Sequence, residues 1–165
     1  MFKVKAGSLT EYFKAAGQRE GCLRKTDKLI RQTSPNLKRW LYDVGEKEEH
    51  GMHMKMIGYG KFTYSLKSGV RLDFPIIGLA LQKNYISIYV SVTKNGSPIV
   101  KDYCGKLNEV RIGKKDNFSF TSFEVLHKPN FVQLIKEISW IAEQDSQNAI
   151  DYKESQRRKT AVVTI

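Results

Sequence analysis

Three groups of residues in this chain have the types and spacing to do chemistry. The densest is Asp43, Glu46, Glu48, Glu49, His50 and His53, four carboxylates and two imidazoles within eleven positions. Hard oxygen and borderline nitrogen donors suit zinc or iron, so Glu49, His50 and His53 are the candidate metal ligands. The spacing argues for something plainer. No HExxH pattern is present, and Gly45 and Gly51 deny the group a rigid helical frame, so a solvated loop is the expected state.

The second group is Arg24, Lys28 and Arg31, at i, i+4 and i+7, with Lys25 beside them. On a helix they form one stripe that can follow a phosphate backbone, which makes nucleic acid a candidate partner. Such stripes are more often solvated surface, and that is the expectation here. The third group is a connector with two Gly-Lys steps, Gly105-Lys106 and Gly113-Lys114-Lys115, and Arg111 between them. Glycine lets backbone N–H groups approach an anion and lysine supplies charge. The glycine spacing is not that of a Walker loop, and two lysine-rich turns are also what a basic composition gives by chance, so both readings stay open.

Nucleophilic catalysis finds little support. There is no GxSxG elbow, and His127 beside Pro129 reads as a residue preceding a helix. Cys22 and Cys104 form no CxxC pair and are expected to be buried thiols. Trp40 and Trp140 sit among apolar residues and are expected in the core rather than as stacking platforms. An enzyme is therefore the least supported class.

The elements that must position these groups follow from periodicity. Ser8 to Ala16 predicts a first helix, with Ser8 as N-cap, Glu11 three residues on and Gly17 as its stop. A second helix is expected over 20–32, ending before Ser34-Pro35, and Leu37, Trp40 and Leu41 suggest a further helical turn over 36–42. Residues 54–92, MKMIGYGKFTYSLKSGVRLDFPIIGLALQKNYISIYVSV, read as three antiparallel strands with turns at SLKSG and QKN. Gly58 and Gly60 mark a bulge or a close backbone approach, and Pro75 an edge position or a strand start. Over 85–92 the alternation is strict, with Ile86, Ile88, Val90 and Val92 on one face and Tyr85, Ser87, Tyr89 and Ser91 on the other.

Ile99, Tyr103 and Leu107 are helically spaced, and 117–123 predicts a fourth strand. A helix after Lys128 carries Phe131, Leu134, Ile135, Ile138, Ile141 and Ala142 on the stripe that must cover the Ile86/Ile88/Val90 face. Residues 150–165 are expected as a polar basic tail, disordered or continuing the helix. The sum is one α+β domain over 1–149. Its antiparallel sheet has about four to six strands, with N-terminal helices and a C-terminal helix packed on one face. The tyrosine and serine face is left for solvent, a ligand or a second copy.

The chain is 165 residues long with 41% hydrophobic residues, enough for one core. Its net charge of +11 favours anionic partners. The excess is concentrated: residues 1–40 carry ten basic and three acidic side chains and 61–120 carry ten and four, whereas 121–165 balance at six each. No run approaches the ~18–20 apolar residues of a membrane span, and the start lacks the apolar stretch of a signal peptide, so a cytoplasmic location is expected.

The segments MIGYGKFTY, GVRLDFPIIGLALQKNYISIYV, DYCGKL, GKKDNFSFTS and NFVQLIKEI, preceded by LRKTDKLIRQTSPNLKRWLYD, resemble the bacterial YdhG-like family of unknown function over roughly residues 8–142. The resemblance implies a frataxin-like α+β arrangement and, by analogy with frataxin, a role in intracellular iron handling. It places the family's recurring aromatic and Gly-Lys positions at Tyr59, Tyr64, Tyr89, Gly105, Lys106, Gly113 and Lys114. Iron binding of that kind needs acids clustered on the first helix, and only Glu11, Glu20 and Asp27 stand among the ten cations of residues 1–40.

The leading expectation is thus a cytoplasmic, non-enzymatic binding module. Its exposed sheet face, with Tyr59, Tyr64 and Tyr89 flanked by Lys106, Lys114 and Lys115, would receive an anionic small molecule or an acidic partner. A frataxin-like iron carrier is the alternative, with iron the one cofactor considered, and a homodimer built on the same sheet face is the third reading.

Overall fold

Ser8 opens the first helix as its spacing predicts. In the computed structural model, which describes residues 3–43, 54–66, 69–113, 116–144 and 158–164, Ser8 Oγ accepts from the Glu11 N–H at 3.2 Å. The Glu11 carboxylate in turn accepts from the Gly7 N–H at 2.7 Å. Both bonds satisfy donors that a helix start leaves without partners. Helix α1 (Leu9–Lys14) ends ahead of Gly17, whose φ is +54°, and α2 (Glu20–Thr33) runs to the Ser34-Pro35 step. The next stretch departs from expectation. Arg39–Tyr42 is a strand, β1, not a helical turn, because Trp40, Leu41 and Tyr42 are good strand formers and an open strand edge lies beside them.

Three antiparallel strands follow where the alternation places them: β2 (Met56–Leu66), β3 (Arg71–Leu81) and β4 (Ile86–Val90). A small hairpin of β5 (Thr93–Lys94) and β6 (Ser97–Pro98) turns through Asn95 and Gly96, both at positive φ. After a 3-10 turn over Ile99–Tyr103 come β7 (Arg111–Ile112), β8 (Asn117–Phe120), helix α3 (Lys128–Gln144) and β9 (Arg158–Thr164). The main sheet is antiparallel throughout, in the order β1-β2-β3-β4-β8-β7, and β9 pairs with β2. The fold is α+β, as expected, but the C-terminal stretch expected as helix or disordered tail supplies a strand. Thr160, Val162, Val163 and Thr164 are β-branched, and the distal half of β2 offers them an edge.

β2 changes partners midway. Its residues 56–59 pair with β1 and its residues 61–66 with β9, and Gly60 stands between them at φ +61° with its N–H donating to the Lys38 carbonyl. The sheet bends sharply there. Tyr42 is registered with Met56 and Phe74 with Phe62, six residues further along β2, a separation of about 20 Å in a flat sheet. Yet the Tyr42 and Phe74 rings meet edge-on at 5.2 Å. Side chains also lie close over the glycines of this stretch: a Cβ on Gly58 would lie 2.7 Å from Trp40 Nε1, and one on Gly78 would clash with Met56 Sδ. Pro75 lies inside β3 opposite Lys61 of β2, so its missing N–H leaves that ladder one donor short beside Gly60.

The helices cover the face carrying Ile57, Tyr59, Ile77, Leu79, Ile88 and Phe118, all fully buried. Phe118, registered with Ile88, packs edge-on against Phe131 of α3 at 6.1 Å, which confirms the surface that α3 was expected to cover. One carboxylate crosses this layer. Asp27 of α2, 3% exposed, accepts from the Tyr59 hydroxyl of β2 at 2.9 Å, from Arg39 of β1 at 2.8 Å and from Arg31 at 3.1 Å.

Candidate functional site

Two of the three tyrosines expected on an open sheet face are core residues. Tyr59 is buried against α2, and burial with the adjacent Asp27 charge pushes its hydroxyl well above the usual tyrosine range. Tyr64 is buried beside Phe62 in the bent hairpin. Ser87 and Ser91 are also buried, so of the residues alternating on this face only the tyrosines reach solvent.

Along β4 that back face opens. Tyr85, Ser87, Tyr89, Glu109, Arg111 and Asn117 line a depression of about 400 Å³ across β4, β8 and β7. Tyr89 is half-buried, and burial followed by the neighbouring Tyr85 and Asp116 raises its hydroxyl pKa. Gly113 lines the same depression, so the later part of the basic connector does reach the tyrosine face. Lys114 and Lys115 lie outside the described residues. Among the described lining residues Arg111 and Glu109 balance each other in charge.

Lys106 is elsewhere. The connector separates it from Gly113 by a turn and an isolated bridge at Asn108, and it lies against α3, on the opposite side of the sheet from Tyr89. There a basin of about 680 Å³ is lined by Lys94, Asp102, Tyr103, Lys106, Gln133, Lys136, Glu137 and Trp140. Lys94 is held by Glu137 Oε1 at 2.6 Å and approaches Asp102 at 4.0 Å. Lys106 Nζ stands 5.6 Å from the centre of the Tyr103 ring, a cation–π contact. Three lysines face two carboxylates, and among the described residues Lys106 and Lys136 have no carboxylate within ion-pair distance.

Trp140, expected in the core, is 62% exposed at this basin. The helix phase explains the difference. Phe131, Leu134, Ile135, Ile138 and Ala142 hold the buried side of α3, and Trp140 follows Ile138 by two residues, about 200° around the axis. Gln133, Lys136 and Trp140 are spaced i, i+3 and i+7 and form one exposed strip. The signal for this site was that phase, read against the inward residues instead of against hydrophobicity alone.

Glu137 ties the basin together and sets its acid sensitivity. Partial burial raises its carboxyl, but hydrogen bonds from Lys94 and from the Tyr103 hydroxyl (2.7 Å) outweigh this and hold it below its ordinary 4.5. A folded value below the unfolded one contributes stability that is fully present above pH 4.5 and is lost as the pH falls through the folded value. The melting temperature of Glu137→Gln should therefore lie below that of the parent at neutral pH, and the two should converge as the solution is acidified. Parallel curves down to the acid end would show that the Lys94–Glu137–Tyr103 contacts contribute nothing.

The remaining expected sites fare differently. On α2, Arg24 pairs with Glu20 at 2.7 Å and Arg31 with Asp27, so Lys28 is the one member of that stripe with no ion pair among the described residues. Glu49, His50 and His53 lie outside the described residues, and among those described no group of three or more His, Cys, Asp or Glu side chains gathers to hold a metal. Both cysteines are free thiols, but neither is buried as expected. Cys22 is half-buried and Cys104, on the turn that ends the 3-10 segment, is exposed. No described helix is long and apolar enough to cross a membrane. Compared with protein-family models, with curated proteins and with solved structures, the chain matches none.

Proposed function

We propose that this chain is a cytoplasmic, non-enzymatic binding module for an anionic ligand, with its site in the basin between α3 and the 3-10 segment. The observation that carries the reading is the 62% exposure of Trp140 beside Lys106 and Lys136, two exposed cations with no carboxylate partner among the described residues. An exposed indole at a concave, lysine-lined surface suits recognition, since most large aromatic side chains among the described residues are buried or partly buried. Membership of the YdhG-like family belongs to the same proposal and rests on the ordered segments between residues 8 and 142.

Iron delivery is the competing reading, and the acids of the first forty residues speak against it. Glu11 caps α1, Glu20 is paired with Arg24, and Asp27 is enclosed by Arg31, Arg39 and Tyr59. Glu11 is exposed but serves the helix cap, Glu20 is partly buried and paired, and Asp27 is buried, so the three do not form one acidic cluster facing solvent.

Titration with inorganic pyrophosphate tests the proposal. The double variant Lys106→Glu/Lys136→Glu reverses two exposed charges and should weaken binding by at least about tenfold. Its circular dichroism should remain that of the parent. Equal affinity in parent and variant would refute the assignment of the site.

A further inference from the structure

An inorganic anion would use the lysines of this basin and leave its most exposed apolar side chain idle. Among the described residues three large hydrophobic side chains are exposed, Val70, Tyr85 and Trp140, and Trp140 is the most exposed of them. It stands on the same strip of α3 as Lys136, one turn away, and Gln133, two turns away. Opposite that strip the 3-10 segment brings Tyr103, and the turn after it brings Lys106. A flat π surface, a side-chain amide that both donates and accepts, and two cations without carboxylate partners thus converge on about 680 Å³. That volume is in the range of small-molecule sites.

We infer that the basin takes a nucleoside phosphate, its base stacked on the Trp140 indole and its phosphate held between Lys106 and Lys136. The inference rests on the anion-binding reading above and adds the planar ring to it. An aliphatic acid or an acidic peptide would satisfy the lysines but has no flat face to set against the indole, whereas every base has one. Gln133 is placed to hydrogen-bond a base edge or a ribose hydroxyl. Asp102 and Glu137 repel a second phosphate and Lys94 offsets one of these two charges, so the basin carries one net positive charge, with Lys106 and Lys136 the lysines not in an ion pair.

The nucleoside phosphate can be free or part of a single strand, and the experiment separates the two. Inorganic pyrophosphate, ADP and a short single-stranded oligothymidylate are titrated into the full chain, with binding followed by calorimetry and by tryptophan fluorescence. ADP should bind more tightly than pyrophosphate and quench the fluorescence. Trp140→Ala should weaken ADP about 5- to 150-fold, the worth of one stacked base, and leave pyrophosphate unchanged, while Trp140→Phe should keep most of the affinity. An oligothymidylate that binds far more tightly than ADP, with steep salt dependence, identifies a single strand as the source, and ADP equal or tighter identifies a free nucleotide. If pyrophosphate binds as well as ADP and Trp140→Ala changes neither, the base-stacking inference is overturned and the anion site stands. If the parent protein binds none of the three, both fall.

Discussion

Replacing Asp27 by alanine should lower the unfolding free energy by about 3–5 kcal/mol, the usual cost of removing one partner from a buried charge pair. The carboxylate is 3% exposed and serves three donors on three elements. Its loss strands the Tyr59 hydroxyl, which is fully buried, and the Arg39 guanidinium, which is only partly exposed. Arg31 differs: its side chain is 47% exposed and keeps water when the partner goes, so Arg31→Ala should cost less than about 1 kcal/mol. Urea titration measures both. Because Asp27 and Tyr59 share one bond, Asp27→Ala and Tyr59→Phe together should cost clearly less than the sum of the two alone. Strict additivity, or a loss under about 1 kcal/mol for Asp27→Ala, would show that the network does not hold α2 to the sheet.

Asp27 also shows what a single sequence exposes and what it hides. In the chain it is one acid on a basic helix, and its hydrogen-bond partners Arg39 and Tyr59 lie 12 and 32 positions away. Local signals were readable: the cap at Ser8, the stop at Gly17, the turns between β2, β3 and β4, and the buried stripe of α3 all follow from spacing within a few residues. β1 and β9 were not, because each becomes a strand only by pairing with opposite halves of β2. Tyr59 and Tyr64 misled for a different reason. Tyrosine carries a large apolar ring and one hydroxyl: Tyr59 lies on the helix-covered face with Ile57, and Tyr64 is buried in the bent hairpin beyond Gly60. The candidate site was half legible. Lys106 was marked by its Gly-Lys step, but its neighbours Lys136 and Trp140 come from a helix whose start is more than twenty residues further on.

Gly60→Ala should be the other large loss, about 2–5 kcal/mol. Backbone strain and overpacking both contribute. An alanine at φ +61° incurs roughly 1–2 kcal/mol of backbone strain. Its Cβ would also stand 2.8 Å from Ile76 Cδ1 and 2.9 Å from Leu37 Cδ2, an overpacking that costs about 1–3 kcal/mol more. Gly17→Ala separates the two terms, since Gly17 has a similar φ of +54° with nothing within 4 Å of the added carbon. It should lose only the strain term. Denaturant midpoints of the two variants, compared at unchanged slope, give the packing term by difference. Equal losses would mean that Leu37 and Ile76 move aside and that packing does not fix the bend. A larger loss at Gly60 would mean that the hairpin is folded back by the fit of that one turn, which keeps Tyr42 on Phe74 and buries Tyr64. The basin at Trp140 is built from α3 and the 3-10 segment, so the folded fraction of Gly60→Ala should still bind pyrophosphate with the parent's affinity.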